Sequence, residues 1–397
     1  MRVLMVAPHP VYSPRGTPIS VLNRCRGVAA LGHEVDLVTY PIGEDVPVPG
    51  LRYVRPRVPG IRDVRVGPSP AKLPLDAAVF AKAASLAVRG RRRYDVVHTH
   101  EEAGLMGAAL SRSLGIPHLY DMGNDLAVAA ANFGLPRGAV RAVAVAEGVI
   151  VRSASVVIAH FPTVAAVAQR ANPKAAVHVI YNVPFEARPD PTEAERLAAR
   201  LSPGRNPIVL YTGTLEAYQG LPTLLDAAAK LRAGGRAFRL VVVGGRPEQV
   251  AGLRSQADDL GLDETMEWVG SVPQERIPTF LAASDVLVSP RASGTNTPLK
   301  IFSYLQSGRP IVATRTESHT QVLDDQVAEL VDANPDALAG GIARCLDDGA
   351  HASDLGLSAM RLAEERFSER AFIEAVAAAY SDIKPRSDSM LRTPRQA

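Results

Sequence analysis

Residues 289–310, SPRASGTNTPLKIFSYLQSGRP, hold the side chains best suited to binding an anion. The first half reads as a loop with a cation, Arg291, a permissive glycine, Gly294, and three small hydrogen-bond donors, Thr295, Asn296 and Thr297. Pro298 stands where a helix should begin, a place that needs no intrahelical N–H. The amides of Thr297, Leu299 and Lys300 then lack intrahelical acceptors, and the helix dipole adds positive potential. An isolated lysine in a first turn opposes that dipole, and a bound anion would remove the conflict. The combination suits a diphosphate, with Lys300 as one of its contacts.

Three other segments could do chemistry. YTGTLEAYQG at 211–220 follows a strand and precedes a helix, with Gly213 and Gly220 permitting tight backbone geometry. SPRGTPIS at 13–20 occupies the same kind of position, and Gly16 removes a side chain where a ligand would approach free helix amides. It is neither GxGxxG nor a P-loop, and the plain alternative is an ordinary turn with Pro18 at the first helical position. In VVHTHEE at 96–102, the spacing of two puts His98 and His100 on one face of a strand. A polar cluster near the ligand cleft is the preferred reading, ahead of a structural pair and of a metal site completed by Glu101 or Glu102. No metal ligand is assigned. ESHTQ at 317–321 follows a strand and is a further candidate for donor contact.

These segments need elements to position them. Strand patterns at 3–7, 34–39, 96–98, 118–121, 156–159 and 177–180 alternate with helical patterns at 18–31, 103–114 and 163–170. A break at 182–207 holds five prolines and a charged centre, and reads as a linker with a short helix inside. The alternation then restarts, with strands at 208–211, 239–243, 266–269, 286–289 and 310–314. Helices at 221–233, 247–260, 274–283, 298–307, 335–347 and 352–366 accompany them. Such alternation predicts βαβ units and parallel sheets. The fold class is α/β: two Rossmann-like, doubly wound domains, 1–182 and 183–369, facing across a cleft. Ligands of such sheets bind outside the carboxyl ends of the strands, and a hinge would let the cleft close. The tail, 384–397, reads as disordered.

The 397 residues are 47% apolar and 21% charged, enough core for two or three domains. Lys plus Arg (44) nearly balances Asp plus Glu (41), so no nucleic-acid partner is expected. Two distant cysteines, Cys25 and Cys345, argue against a disulfide framework or structural zinc and for a reducing cytoplasm. No apolar run reaches the roughly 18 residues of a membrane span, and the N-terminus reads as a buried strand rather than a signal peptide. Arginines at 52, 55, 57, 62 and 65, with the run 89–93, make a basic region. It reads either as peripheral contact with an anionic inner membrane face, or grip on a phosphorylated lipid acceptor, or as a solvated loop.

The order of motifs resembles a family 4 glycosyltransferase of the GT-B fold. The matching pieces are RGT at 15–17, LGHEV at 31–35, DVVH at 95–98, YTGT at 211–214 and QG at 219–220. LVVVG at 240–244, WVG at 268–270, ASDVLVSPR at 283–291 and PLKIFSYLQSGRPIVAT at 298–314 complete the series. The resemblance implies sugar transfer from a nucleotide-sugar donor, UDP- or GDP-linked, with retention of configuration, no essential metal and no separate cofactor. The acceptor would be a sugar, a lipid-linked molecule or a small molecule. The donor would lie mainly on the C-terminal domain and the acceptor on the N-terminal domain, with a last helix near 370–383 packing back on the latter. It assigns catalytic roles to Gly16, His98, Asp121, Arg291 and Lys300. Donor contacts fall to Gly213, Thr214, Gln219, Gly244, Val272, Gly294, Thr295, Asn296, Thr297, Pro298, Leu299 and Ser303.

The chain departs from the family at several places. Ser303 stands where many members have a ribose-binding Glu, and Thr214 and Gln219 stand where many have Arg and Lys. Gly123 falls about where an active-site His is frequent, leaving Asp121, Asn124 or Asp125 as polar neighbours. Arg291 and Lys300 are then the nearest cations for the diphosphate. The alternative to an active transferase is a nucleotide-sugar-binding or scaffold protein that has lost turnover.

Overall fold

The computed structural model describes all residues except 14–15, 62–63, 65–68, 70–71, 90–93, 185–188, 295 and 384–397. Thr295, the tail, Arg62, Arg65 and most of the 89–93 basic run therefore lie outside the described residues. The chain divides into two compact units, one of Met1–Asn182 with the segment from Glu369 on, the other of Val183–Ser368.

The first unit runs β1 (Arg2–Ala7), α1 (Gly16–Ala30), β2 (Glu34–Thr39), β3 (Leu51–Val54), α2 (Leu73–Arg89), β4 (Val96–His100) and α3 (Gly104–Leu114). It continues through β5 (His118–Met122), α4 (Leu126–Asn132), α5 (Arg137–Ser153), β6 (Val156–Ala159), α6 (Pro162–Ala171) and β7 (Ala176–Val179). Among the described residues these strands form one parallel sheet in the order β3-β2-β1-β4-β5-β6-β7. Its central strands are buried on both faces, as their continuous Val, Leu and Met content requires.

The second unit runs α7 (Pro191–Leu201), β8 (Ile208–Thr212), α8 (Leu221–Ala233), β9 (Arg239–Val243), α9 (Pro247–Asp259), β10 (Met266–Gly270) and α10 (Ile277–Ala282). Then come β11 (Val286–Ser289), α11 (Leu299–Ser307), β12 (Ile311–Thr314), α12 (Glu317–Thr320), β13 (Glu329–Val331), α13 (Pro335–Asp347) and α14 (Gly349–Arg366). The described strands pair in parallel in the order β10-β9-β8-β11-β12-β13. α15 (Glu369–Ser381) belongs to the first unit, where Phe372 packs against Gly27 of α1 and Tyr380 is buried.

Both sheets reverse strand order once, between β1 and β4 and between β8 and β11. At such a reversal the two connecting helices leave on opposite faces, and a crevice opens at the carboxyl ends. The loops after β1, β4, β8 and β11 are therefore where side chains can meet a ligand.

Sequence periodicity missed β3, β13, α4 and α5. β3 is an edge strand with one buried residue, Val54, in a stretch rich in Pro and Arg. α5 is long but buries only Glu147, Ile150 and Val151. Two arginines of the basic stretch are engaged within the fold. Arg52 pairs with Asp36, and Arg55 binds Asp45 and the backbone carbonyls of Tyr40 and Ile42, tying β3 to the loop before it.

One glycine clamps the second unit's two switch-point loops together. Gly220 has φ +75°, and a Cβ there would collide with the Pro290 carbonyl oxygen. The Ala292 amide donates to the Tyr218 carbonyl alongside. Gly220→Ala is expected to destabilise the protein by more than about 1 kcal/mol in denaturant unfolding, because alanine fits neither the dihedral nor the space. Gly252→Ala is the control. That glycine lies in α9 with nothing within 4 Å of its added methyl, so the change should stabilise.

Candidate functional site

The second unit gathers two cations at its switch point. α11 starts at Leu299 with Pro298 as its N-cap, at φ −65° and ψ 137°, and no side chain caps it. Pro298 thus precedes the helix by one residue instead of opening it. The Ile301 amide bonds back to the Pro298 carbonyl, which leaves the Leu299 and Lys300 amides facing outward without intrahelical acceptors. Beside them the Thr297 hydroxyl is buried and has no hydrogen-bond partner among the described residues.

Lys300 is half-buried, with its ammonium 3.8 Å from the centroid of the Tyr211 ring and 3.4 Å from Gln219 Oε1. Desolvation first, then the Arg291 charge, holds its pKa well below the ordinary lysine value. Arg291 stacks over Tyr218 at 5.1 Å and donates to the Ser293 and Asn296 carbonyls, each at 2.8 Å, which shapes the loop around Gly294. Burial lowers its pKa as well. Among the described residues neither cation has a carboxylate partner. Two cations held together by π faces and carbonyls, with no anion, constitute a site lacking its counter-charge.

Several neighbours fix this geometry. The Tyr211 hydroxyl donates to the Thr214 carbonyl, and Gln219 Nε2 reaches Thr214 Oγ1 at 3.3 Å. A Cβ on Gly213 would lie 3.6 Å from Lys300 Nζ, so the bare glycine leaves room over the ammonium. Gly244 packs against the Gly213 backbone. His319, fully buried, joins Ser289 Oγ at 2.9 Å to the Thr314 carbonyl at 2.7 Å, and Thr314 Oγ1 donates to the Arg291 carbonyl. Burial lowers His319 to about 4. The 317–321 segment therefore contributes a brace behind the Arg291 loop. Ser303 is buried on α11, while Val272 lies half-exposed in the loop after β10.

The first unit builds a different cluster. Asp121, at the end of β5, has no exposed surface; Oδ2 accepts from Arg24 Nε at 2.8 Å and Oδ1 from His160 Nε2 at 2.5 Å. Burial alone would raise its pKa, but Arg24 and then His160 outweigh it and hold the carboxyl well below the usual range. The Asn182 amide faces His160 Nδ1 at 2.9 Å, and Ser20 donates to the Asn182 oxygen at 2.6 Å, which orients the ring. His98 is also buried, with Nδ1 2.8 Å from the Tyr380 hydroxyl of α15 and Nε2 3.6 Å from Asp121 Oδ2. Sequence reasoning grouped Asp121 and His98 with the catalytic residues. As placed, Asp121 has neither a free oxygen nor any surface to offer a substrate, and His98 lies beneath the same edge. Gly16 opens α1 and is exposed.

Sequence reasoning missed His9, His160 and the conformation of Glu101. Each stands just beyond a strand end at the carboxyl edge, and strand order, which one sequence does not reveal, makes them neighbours. Glu101 adopts φ +47°, rare for a residue with a side chain. Its Oε1, which accepts from Asn124 at 2.8 Å, fills the space over Gly123, as does the His160 ring. Burial, then the Glu102 charge, pushes Glu101 up to about 8.

The chain matches two family profiles: the glycosyl transferase 4-like domain over residues 15–183 and the glycosyl transferases group 1 domain over residues 206–348. It is 29% identical to D-inositol 3-phosphate glycosyltransferase of Acidothermus cellulolyticus, over 88% of this chain and 84% of that protein. It is 28% identical to 2-deoxystreptamine glucosyltransferase of Streptomyces kanamyceticus, over 68% of this chain and 74% of that one. The HepE protein of Anabaena, solved in complex with UDP, superposes with a TM-score of 0.74 at 20% identity, covering 96% of this chain and 100% of that one.

Proposed function

Because the chain belongs to the family 4, group 1 glycosyltransferases, we propose that it moves a sugar from a UDP- or GDP-linked donor to a cyclitol hydroxyl, with retention of configuration. The observation that carries the donor half is the pair Arg291 and Lys300, cations without carboxylates beside a bare helix start. Cleaving the anomeric C–O bond leaves negative charge on the nucleoside diphosphate. Preorganised cations and amides stabilise that charge without a metal on the phosphates. Thr297 Oγ1, buried and unpartnered, supplies a further donor. The incoming hydroxyl oxygen bonds to the anomeric carbon on the face the phosphate leaves, and its proton passes to the departing phosphate oxygen. No protein nucleophile is needed in this scheme. Asp121 and His98 act as positioning residues.

The cyclitol acceptor rests on the inositol phosphate and 2-deoxystreptamine named for the two relatives. Cys25 and Cys345 are both free and buried, which supports work in a reducing cytoplasm. Among the described residues no helix is long and apolar enough to cross a membrane. The engagement of Arg52 and Arg55 within the fold favours the solvated-loop reading of the basic stretch over membrane docking.

The test is a panel of UDP- and GDP-sugars with myo-inositol phosphate and 2-deoxystreptamine as acceptors, products read by NMR. Transfer with the donor's anomeric configuration supports the proposal; inverted product, or nucleotide binding with no turnover on any acceptor, overturns it. Nucleotide binding should be indifferent to EDTA. Its affinity should also depend on pH. Lys300 has a depressed pKa in the free protein, and a diphosphate favours its ammonium form, so affinity falls as pH rises. Calorimetry over a rising pH series is expected to show that fall, with a flatter profile in Lys300→Ala.

A further inference from the structure

We propose that His9, His100 and Glu101 form a binding site for a divalent transition-metal ion, zinc by preference, at the carboxyl edge of the first sheet. His9 follows β1, and His100 ends β4, so both stand at that sheet's switch point. One ligand atom from each of the three residues lies within 4.8 Å of the others, and all three residues are buried.

The unfilled valences point to a cation. Among the described residues, neither ring nitrogen of His100 has a hydrogen-bond partner, and nor does His9 Nε2, although all three atoms are shut off from water. Buried polar atoms are ordinarily satisfied, and a cation bound between the rings would satisfy one from each. His9 Nε2 lies 3.7 Å from Glu101 Oε2 and 3.4 Å from Glu102 Oε2, too far for good hydrogen bonds. Two ligands on a tetrahedral zinc with 2.0–2.1 Å bonds stand roughly 3.3 Å apart. The His9 and His100 rings are perpendicular with centroids 5.6 Å apart, and two imidazoles on one such ion have centroids roughly 5 Å apart.

Glu102 is half-exposed and marks the open side, where it or water completes the coordination. The Lys72 charge acts against a cation here, and the half-exposed Glu102 beside His9 offsets it. A neighbouring trio, His100, Asp121 and His160, is less suited, because Arg24 and His160 already occupy the Asp121 oxygens. Two nitrogens and one or two carboxylates favour zinc over magnesium or calcium, which take oxygen ligands. All these ligands belong to the first unit, whereas Arg291 and Lys300 belong to the second.

The full chain, stripped with chelator, is titrated with zinc chloride by calorimetry and with cobalt(II) by visible absorption. One ion per chain is expected, with the intense cobalt bands of a four-coordinate site. His9→Ala and His100→Ala should each weaken zinc binding about 100-fold or more. His178→Ala and His351→Ala, surface histidines paired with Asp382 and Glu329, should leave it unchanged. Circular dichroism confirms folding, and Glu101→Gln, nearly isosteric, replaces any alanine variant that fails to fold, with the same loss expected. Absence of stoichiometric binding overturns the proposal. So does binding that survives in folded His100→Ala and Glu101→Gln, or that disappears in His351→Ala.

Discussion

Asp121→Ala destabilises the folded protein by about 3–5 kcal/mol, the usual consequence of removing one partner from a buried ion pair. Arg24 is buried beside it, and Nε has its only hydrogen bond to Asp121 among the described residues, while Nη1 and Nη2 have none. Without the carboxylate, a guanidinium remains in the interior with only the Phe372 ring, 5.1 Å away, to offset its charge. His160 loses its acceptor as well. The pH dependence has a definite sign. The Asp121 pKa is depressed in the folded state, so its contribution is complete above the unfolded aspartate value of about 3.9 and is lost as pH falls toward the depressed one. Denaturant unfolding at pH 7 and pH 3 checks both parts. The gap between wild type and variant should be large at pH 7 and smaller at pH 3. A loss under about 1 kcal/mol at pH 7 would show that Arg24 does not depend on Asp121.

Lys300→Ala weakens nucleoside diphosphate binding by about 1–3 kcal/mol, the range for hydrogen bonds to charged groups. The ammonium is already desolvated in the free protein, resting on Tyr211 and Gln219, so little further desolvation opposes its contact with phosphate. Lys300→Met should match the alanine variant in affinity and exceed wild type in stability, since removing an unpaired buried charge relieves the fold. Calorimetry with UDP and GDP measures the first effect and thermal unfolding the second. Unchanged affinity in both variants would remove Lys300 from the phosphate site. Arg291 is a poorer probe, because its guanidinium also shapes its own loop through Ser293 and Asn296.

How much of this was legible in the sequence differed between the two units. The anion site of the second lies mostly within one continuous segment, 291–300, where residue order already encodes the geometry. A cation, a glycine, small donors and a helix start follow one another within reach of a single ligand. Gln219 and Tyr211 join from the next loop, and Gly220 with Pro290 sets how closely the two loops approach. Motif order across both halves was sufficient for the fold class, since alternating strands and helices admit few arrangements other than parallel sheets covered on both faces. β3 escaped because a short edge strand with one buried residue leaves no clear period.

The first unit is the opposite case. Arg24, His98, Asp121, His160 and Tyr380 come from five separate elements, and no short-range pattern links them. His9 and His100 are 91 positions apart and meet only because β1 pairs with β4. The sequence by itself determined the alternation of strands and helices, the family, and the chemistry available where one loop supplies a whole site. Tertiary structure alone decided which polar groups became buried braces and which were left with open valences, because burial and neighbourhood follow from strand order and helix packing, which local residue spacing does not encode.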